Sequence, residues 1–245
     1  KEIVENHFCA ISSNIDKCLE YGFMNEKIFP MWDWVGGRFS VSSAVGQLPL
    51  SLAFSCDVFQ EFLNGMHWID VQFFSEDKVI NNPAVILALL DNFNVHIQKI
   101  NCRAIIPYSQ SLARLPAHIQ QVEMESNGKV AKTDSRFKGN ENVSQIIFGE
   151  PGTNAQHSFF QLLHQGRICA VDFIGFSKSY NKHIINEKDP HHILIANMLA
   201  QSDALALGKN NENSSKQFDG NRPSTVLLFK DGLSSFNLGV ILSLY

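Results

Sequence analysis

The chain has 245 residues, of which 44% are hydrophobic and 18% charged, and its formal net charge is -4 at pH 7. This apolar content can fill the core of one large domain or two smaller ones. With no basic patch we expect no nucleic-acid partner. The longest apolar runs, 84–90 and 238–242, are too short to cross a bilayer, so no membrane association is expected.

Strand-like and helix-like segments alternate along the chain, which is the pattern of an α/β protein. The predicted strands are short, continuous apolar runs, as expected of parallel strands covered on both faces: Phe8–Ser12, Ile28–Met31, Arg103–Pro107, Gln145–Phe148, Ile168–Ile174 and Thr225–Phe229. The predicted helices are Val41–Leu52, Val58–Phe74, Ala84–His96, Leu112–Ser126, Gln156–Gln165, His191–Leu207 and Phe236–Tyr245.

The first candidate for chemistry is the segment Trp32–Gly46, WDWVGGRFSVSSAVG. Its glycines allow a backbone to approach a ligand closely. Arg38 directly follows Gly37, and its permanent charge suits oxyanions. The composition favours an anion or sugar-phosphate site at this junction.

The second candidate is the end of the helix predicted over Leu112–Ser126, in the sequence QQVEMESNGK. Asn127 and Gly128 form a stop signal, with Gly128 expected in the left-handed region. Glu125 then lies in the last turn, where the negative end of the helix dipole favours a protonated carboxyl and suits a general base. Gln121, four residues earlier, shares its face. The alternative is a solvated helix end with ordinary polar residues.

The third candidate is the loop and helix in GEPGTNAQHSFFQLLHQG, Gly149–Gly166. Thr153 is expected to cap the helix, with Gln156 completing a capping box. His157 would then lie in the first turn, where the positive end of the dipole favours a neutral imidazole able to exchange protons. The alternative is a surface histidine at an ordinary helix start.

The cysteines argue against a disulfide framework and against a thiolate zinc site, because there are five of them, scattered, and none forms a CxxC pair. We expect most of them to be buried as small apolar residues. The same pattern favours a reduced, cytoplasmic compartment.

Four segments in order, together with FDGNRP at Phe218–Pro223, resemble the glucose-6-phosphate isomerase family over nearly the whole chain. They are DWVGGRFSVSSAVG, PYSQSLARLPAHIQQVEMESNGK, GEPGTNAQHSFFQLLHQG and HHILIANMLAQSDAL. The resemblance implies a three-layer α/β/α sandwich of the sugar-isomerase (SIS) type, with a mostly parallel sheet in each of two subdomains. Residues 1–55 would complete the first subdomain, and residues 56–245 would form most of the second.

The resemblance also implies a homodimer that requires no metal and no cofactor. Its reaction is the interconversion of glucose 6-phosphate and fructose 6-phosphate through a cis-enediol, in glycolysis and gluconeogenesis. Glu125 resembles the base that moves the proton, and His157 the ring-opening histidine that the neighbouring subunit donates. Arg38 resembles the arginine that stabilises the enediolate. Gln121 and Gly37 resemble substrate-binding positions.

The family's phosphate-binding loops and its catalytic lysine are expected outside residues 1–245. We therefore interpret the chain as an internal fragment and expect it to be inactive alone. A non-catalytic sugar-phosphate-binding module of the same fold is the alternative, although such a module would not need Glu125 and His157. A secondary signalling role, known for some members of the family, has no support in these residues.

Overall fold

The structure is a computed structural model that describes residues 2–75, 79–129, 144–180 and 189–245. Six strands are described: β1 (Ala10–Ser12), β2 (Ile28–Pro30), β3 (Cys102–Pro107), β4 (Ile146–Phe148), β5 (Ala170–Phe176) and β6 (Ser224–Phe229). The described α-helices are α1 (Glu2–His7), α2 (Ile15–Glu20), α3 (Ala44–Phe54), α4 (Cys56–Phe74), α5 (Pro83–Asn92), α6 (Leu115–Gln120), α7 (Gly152–Gln156), α8 (Phe160–Gln165), α9 (Pro190–Leu207) and α10 (Ser235–Leu244).

All the pairs among these six described strands are parallel. Strands β1 and β2 form one small sheet, and the other four strands form a second sheet in the order β4-β3-β5-β6. Every residue of β3 and β5 is buried, which is why both strands are apolar except for the paired Arg103 and Asp172. The predicted α/β class with a mostly parallel sheet is confirmed, and all six strands fall where the sequence predicts them.

The four-stranded sheet is the middle layer of a three-layer sandwich. One face carries a buried cluster that includes Tyr108, Phe160, Phe173 and Met198, from the side of α7, α8 and α9. The opposite face packs residues of α6 and α10, among them Ile119 and Ile241. The three-layer architecture is thereby confirmed. The boundary between subdomains at residue 55 stays a prediction.

Helices α4 and α10 touch through glycines. A Cβ atom built on Gly65 would lie 1.9 Å from the backbone oxygen of Phe236, and one built on Gly239 would lie 2.0 Å from that of Phe62. Only glycine permits two backbones to approach so closely. The pair therefore fixes how α10 lies against α4 beneath the sheet.

Two of the predicted helices change from α-helical to π-helical geometry before they end. The segments predicted over Ala84–His96 and Leu112–Ser126 each finish in a single π-helical turn, at Phe93–Ile97 and Gln121–Glu125. The segment predicted over Gln156–Gln165 belongs to two short helices, α7 and α8. The expectation that most cysteines are buried is wrong: of the five, only Cys102 and Cys169 are buried.

A buried ion-pair network lies on the α10 side of the sheet. The Arg103 guanidinium on β3 donates to Asp172 on β5, with 2.9 Å between Nε and Oδ2, and it also contacts Asp91 of α5. The Tyr245 hydroxyl donates to the same Asp172 oxygen at 2.8 Å, and the Tyr245 ring lies 5.3 Å from the Arg103 Cζ. Four segments of the chain therefore meet at one buried cation.

Burial raises the pKa of Asp91 to about 6, against the opposing attraction of Arg103. The folded protein thus holds this proton up to about pH 6, whereas the unfolded chain releases it near the ordinary value of 3.8. The Asp91 contribution to stability therefore falls as the pH rises from about 4 to about 6.

We expect Gly65→Ala to lower the free energy of unfolding by about 1–3 kcal/mol, because the new methyl group meets a backbone oxygen that cannot move aside. Equilibrium unfolding in urea measures this. Gly37→Ala is the control, since a Cβ atom on Gly37 meets nothing within 4 Å. Equal stability of the two variants would contradict the close α4–α10 packing.

We expect Asp91→Asn to flatten the fall in stability between about pH 4 and pH 6, because the amide does not titrate. Urea midpoints measured in half-unit pH steps test this. Asp231→Asn is the control. Asp231 is exposed, and its partner Lys178 lowers its pKa instead of raising it, so this carboxylate does not take part in the fall. An unchanged pH profile in Asp91→Asn would show that another group causes the fall.

Candidate active site

Arg38 brings two of the other predicted residues, Gln121 and Glu125, to one place. It lies in a 3₁₀ turn, Gly37–Ser42, that directly precedes α3. Its Nη1 donates to the backbone oxygen of Gln121 at 3.1 Å and contacts the Ser126 hydroxyl, and its Nη2 lies 3.0 Å from Glu125 Oε1. A planar guanidinium can bind several acceptors at once, which a lysine cannot do in the same geometry.

Glu125 ends the π-helical turn that follows α6. The Lys129 ammonium donates to the backbone oxygens of Glu125 and Ser126, at 3.0 and 2.8 Å, and so satisfies carbonyls that the helix end leaves open. The predicted left-handed cap at Gly128 is wrong, because Gly128 is not among the described glycines with positive φ. The Glu125 side chain is 57% exposed, so its carboxylate is held by Arg38 and still open to a ligand.

A cleft of about 590 Å³ adjoins this cluster, and Gly37, Arg38 and Gln121 all line it. Gly37 leaves open space where a side chain would begin. This open space is compatible with close approach of a ligand to the backbone, and the binding role of Gly37 stays a prediction.

Outside the Trp32–Gly46 segment, three polar residues of the cleft were not singled out from the sequence: Ser111, Arg114 and His118. The signal was present, because Arg114, His118 and Gln121 follow one another at the spacing of a helix face. Burial lowers the pKa of His118, which favours its neutral imidazole.

A tightly packed loop places His157. Gly149 follows β4 with φ 158, and a Cβ there would lie 1.9 Å from the Ile105 oxygen. Gly152 lies against the Tyr108 ring, and Gln156 Nε2 donates to the Tyr108 hydroxyl at 2.9 Å. The GEPG sequence therefore holds α7 directly on the end of β3.

The predicted position of His157 within its helix is wrong. Pro151, not Thr153, precedes the first residue of α7, and no side chain caps this end. His157 follows the last residue of α7, so the argument from a positive helix end does not apply to it. Helix α7 ends before His157 because the chain turns there: the backbone oxygen of Ala155 accepts from the backbone N–H groups of both Ser158 and Phe159, ahead of α8.

His157 is exposed, and no hydrogen bond or ion pair among the described residues joins its side chain to Arg38, Gln121 or Glu125. Within the described ranges, no group of three or more His, Cys, Asp or Glu side chains could hold a metal ion. None of the helices in the described part of the chain has the length and apolarity of a membrane span.

A parallel sheet between two layers of helices, with an arginine-bound carboxylate beside its cleft, defines the class: a three-layer α/β/α protein. The family model for phosphoglucose isomerase matches residues 1–245, and the chain belongs to that family.

Curated relatives extend the match over the whole chain. Glucose-6-phosphate isomerase of Plasmodium falciparum is 43% identical and cytosolic glucose-6-phosphate isomerase of Zea mays is 44% identical, each over 100% of the chain. The chain covers 44% and 45% of those two proteins, so it spans about half the length of the curated relatives it matches.

Solved structures agree with the fold. The crystal structure of a glucose-6-phosphate isomerase from Chlamydia trachomatis matches 99% of the chain with a TM-score of 0.90 at 38% identity, and 47% of that protein is covered. A hypothetical protein from Thermus thermophilus matches 94% of the chain with a TM-score of 0.72 at 21% identity, over 51% of its own length, which supports the fold alone.

We expect Arg38→Lys to lower the free energy of unfolding by about 1 kcal/mol, because an ammonium cannot reach all three acceptors of the guanidinium. Equilibrium unfolding tests this. Lys178→Ala is the control, since the ion pair of Lys178 with Asp231 is exposed on both sides and contributes little. A loss no larger in Arg38→Lys than in the control would contradict the role of Arg38 in assembling the cluster.

Proposed function

We propose that the protein carrying this chain is an isomerase that interconverts glucose 6-phosphate and fructose 6-phosphate in glycolysis and gluconeogenesis. The single observation that carries the proposal is the Arg38 guanidinium, which brings Gln121 and Glu125 to one edge of the cleft that Gly37 lines. Membership of the phosphoglucose isomerase family supports the choice of substrate.

Glu125 is the proposed base. Its carboxylate removes the proton from C2 of the opened sugar and returns it to C1, so that a planar cis-enediol lies between the two steps. One carboxylate can serve both carbons because they are adjacent and both protons lie on the same face of the intermediate. The Glu125 side chain is 57% exposed although it contacts Arg38, so a sugar can reach its carboxylate. Positioned proton transfer of this kind contributes about 10²–10⁴-fold to a rate.

Arg38 is proposed to stabilise the negative charge that develops on the substrate oxygens. Its charge is fixed in place before the reaction by the three contacts to the helix end, so little reorganisation is needed when the enediolate forms. Gln121 is proposed to hydrogen-bond a substrate hydroxyl through its side chain. Gly37 is proposed to let the sugar lie against the backbone.

His157 is proposed to open the sugar ring, and to do so in the site of a neighbouring subunit of a homodimer. His157 is exposed beyond α7 and, among the described residues, has no hydrogen bond or ion pair with the Arg38 cluster, which fits a residue that serves another copy of the chain. The isomerisation is redox-neutral overall, so the proposal includes no nicotinamide or flavin cofactor. We place the protein in the cytoplasm, as the names of the plant relatives suggest for those proteins.

A non-catalytic sugar-phosphate-binding module of the same fold is the second candidate, and an inactive isolated chain is compatible with either function. The exposed, arginine-bound Glu125 favours the enzyme, because binding of an anionic sugar phosphate gains nothing from a carboxylate. Turnover of fructose 6-phosphate by the complete polypeptide, followed by a coupled assay, separates the two candidates.

We expect Glu125→Gln in the complete polypeptide to abolish exchange of the C2 proton with solvent, because an amide cannot accept it. Proton NMR of the sugar in deuterated water measures this exchange. Glu123→Gln is the matched control: it makes the same change two residues earlier, where the carboxylate accepts from Asn127 at 2.8 Å instead of contacting Arg38. Exchange that survives in Glu125→Gln would remove Glu125 from the role of base.

We expect Glu125→Gln and His157→Asn subunits, each inactive alone, to recover about a quarter of the normal activity when refolded together in equal amounts. Random pairing makes half of the molecules mixed dimers, and each mixed dimer would hold one site with both native residues. A coupled assay before and after mixing measures the recovery. If mixing restored no activity although mixed dimers form, each site would use its own His157.

A further inference from the structure

Two cysteines that the proposed reaction does not use face each other inside the sheet. Cys102 is the first residue of β3, and Cys169 directly precedes β5. The next residues of each strand, Arg103 and Ala170, are parallel partners, so the two cysteines occupy opposite positions one step earlier. Their sulfur atoms lie 2.6 Å apart, and both side chains are buried.

The backbone spacing at this position suits a covalent bond. Neighbouring strands lie about 4.7–4.9 Å apart. That distance falls within the range of about 4.4–6.8 Å that the Cα atoms of a disulfide span. In parallel register the two side chains project from the same face of the sheet, so the sulfurs can meet without any movement of the backbone.

The surroundings favour a thiolate on Cys102. The hydrogen bond with Cys169 lowers the pKa of the Cys102 thiol to about 7, burial opposes the shift, and the charge of Arg167 adds to it. Cys169 keeps its proton, because the hydrogen bond with Cys102 raises its pKa, although Arg167 and Arg222 oppose that rise. Reactive cysteines are typically found in such electropositive surroundings.

A cleft in the surface lies close to the pair in sequence, although neither cysteine lines it. A cleft of about 400 Å³ is lined by Ile100, Ile168 and Arg222, among others. Ile168 directly precedes Cys169, and Ile100 lies two residues before Cys102. The Arg222 guanidinium is buried beside the cleft and donates to the Gly166 oxygen at 3.0 Å.

We propose that Cys102 and Cys169 are a redox-sensitive pair that hydrogen peroxide converts to a disulfide. The Cys102 thiolate attacks one peroxide oxygen, the O–O bond breaks, and a sulfenic acid and a hydroxide ion form. The Cys169 sulfur then attacks the Cys102 sulfur, and the S–O bond breaks. The departing oxygen and the hydroxide take up the two available protons, so the two thiols lose two electrons and two waters leave.

The bond would join β3 to β5 across a sequence separation of 67 residues. The enclosed segment holds Gln121, Glu125 and His157, three residues of the proposed site. Cross-linking removes conformations mainly from the unfolded chain. Oxidation would therefore make this part of the protein harder to unfold while leaving the strand register unchanged.

The test treats the complete, folded polypeptide with hydrogen peroxide, blocks free thiols and digests it with trypsin without reduction. The expected product is one linked species of peptide 100–103 with peptide 168–178, with a mass about 2 Da below the sum of the two. Dithiothreitol should separate it, and the oxidised protein should show a raised urea midpoint.

Cys102→Ala and Cys169→Ala should each abolish the linked species, and Cys56→Ala, at an exposed cysteine, should leave it intact. Circular dichroism checks that each variant is folded, and a serine at the same position replaces any alanine variant that is not. The proposal would be overturned if both peptides were recovered with blocked thiols. It would equally be overturned if their cysteines carried only added oxygen, or were linked to other cysteines.

Discussion

The architecture depends on how one buried cation is neutralised. Arg103 sits in the middle of a sheet that excludes water, so its charge must meet carboxylates inside the protein. Asp172 supplies one from the neighbouring strand, and Asp91 supplies another from α5. Removing one partner of such a group typically costs about 3–5 kcal/mol, because an unpaired charge stays buried. The network therefore holds β5 beside β3 and holds α5 against this pair of strands.

Strand β3 links this network to the proposed site. Its Arg103 side faces α10, and its other side carries Tyr108 at the end of the strand, where Gly152 and Gln156 pack. The chain that leaves β3 forms α6, whose continuation ends in Glu125. One strand therefore positions both the proposed base and the loop that presents His157. Glu125 itself depends on Arg38, which comes from a separate part of the chain.

The sequence predicted the regular elements well, because buried parallel strands leave a pattern of short apolar runs that few other structures share. It predicted Glu125 near a helix end for a sound local reason, the Asn127 stop signal. It failed at His157, where capping rules chose Thr153 although the close packing of Gly152 on Tyr108 starts the helix earlier. The π-helical turn and the meeting of Arg38 with Glu125 depend on tertiary contacts, which local patterns do not encode.

The reach of Arg38 has a kinetic consequence. Its partners Gln121, Glu125 and Ser126 lie 83 to 88 residues further along the chain. Contacts between such distant residues must overcome the entropy of closing a long loop before they contribute any stability. Strands β3 and β5 are also distant in sequence, since Cys102 and Cys169 are 67 residues apart, but the burial of both strands offsets that entropy, whereas the contact of Arg38 with the exposed Glu125 offsets little of it. We therefore infer that the sheet around β3 and β5 forms first and that the cleft acquires its arginine late in folding. A newly made polypeptide would therefore be compact before its proposed site is assembled.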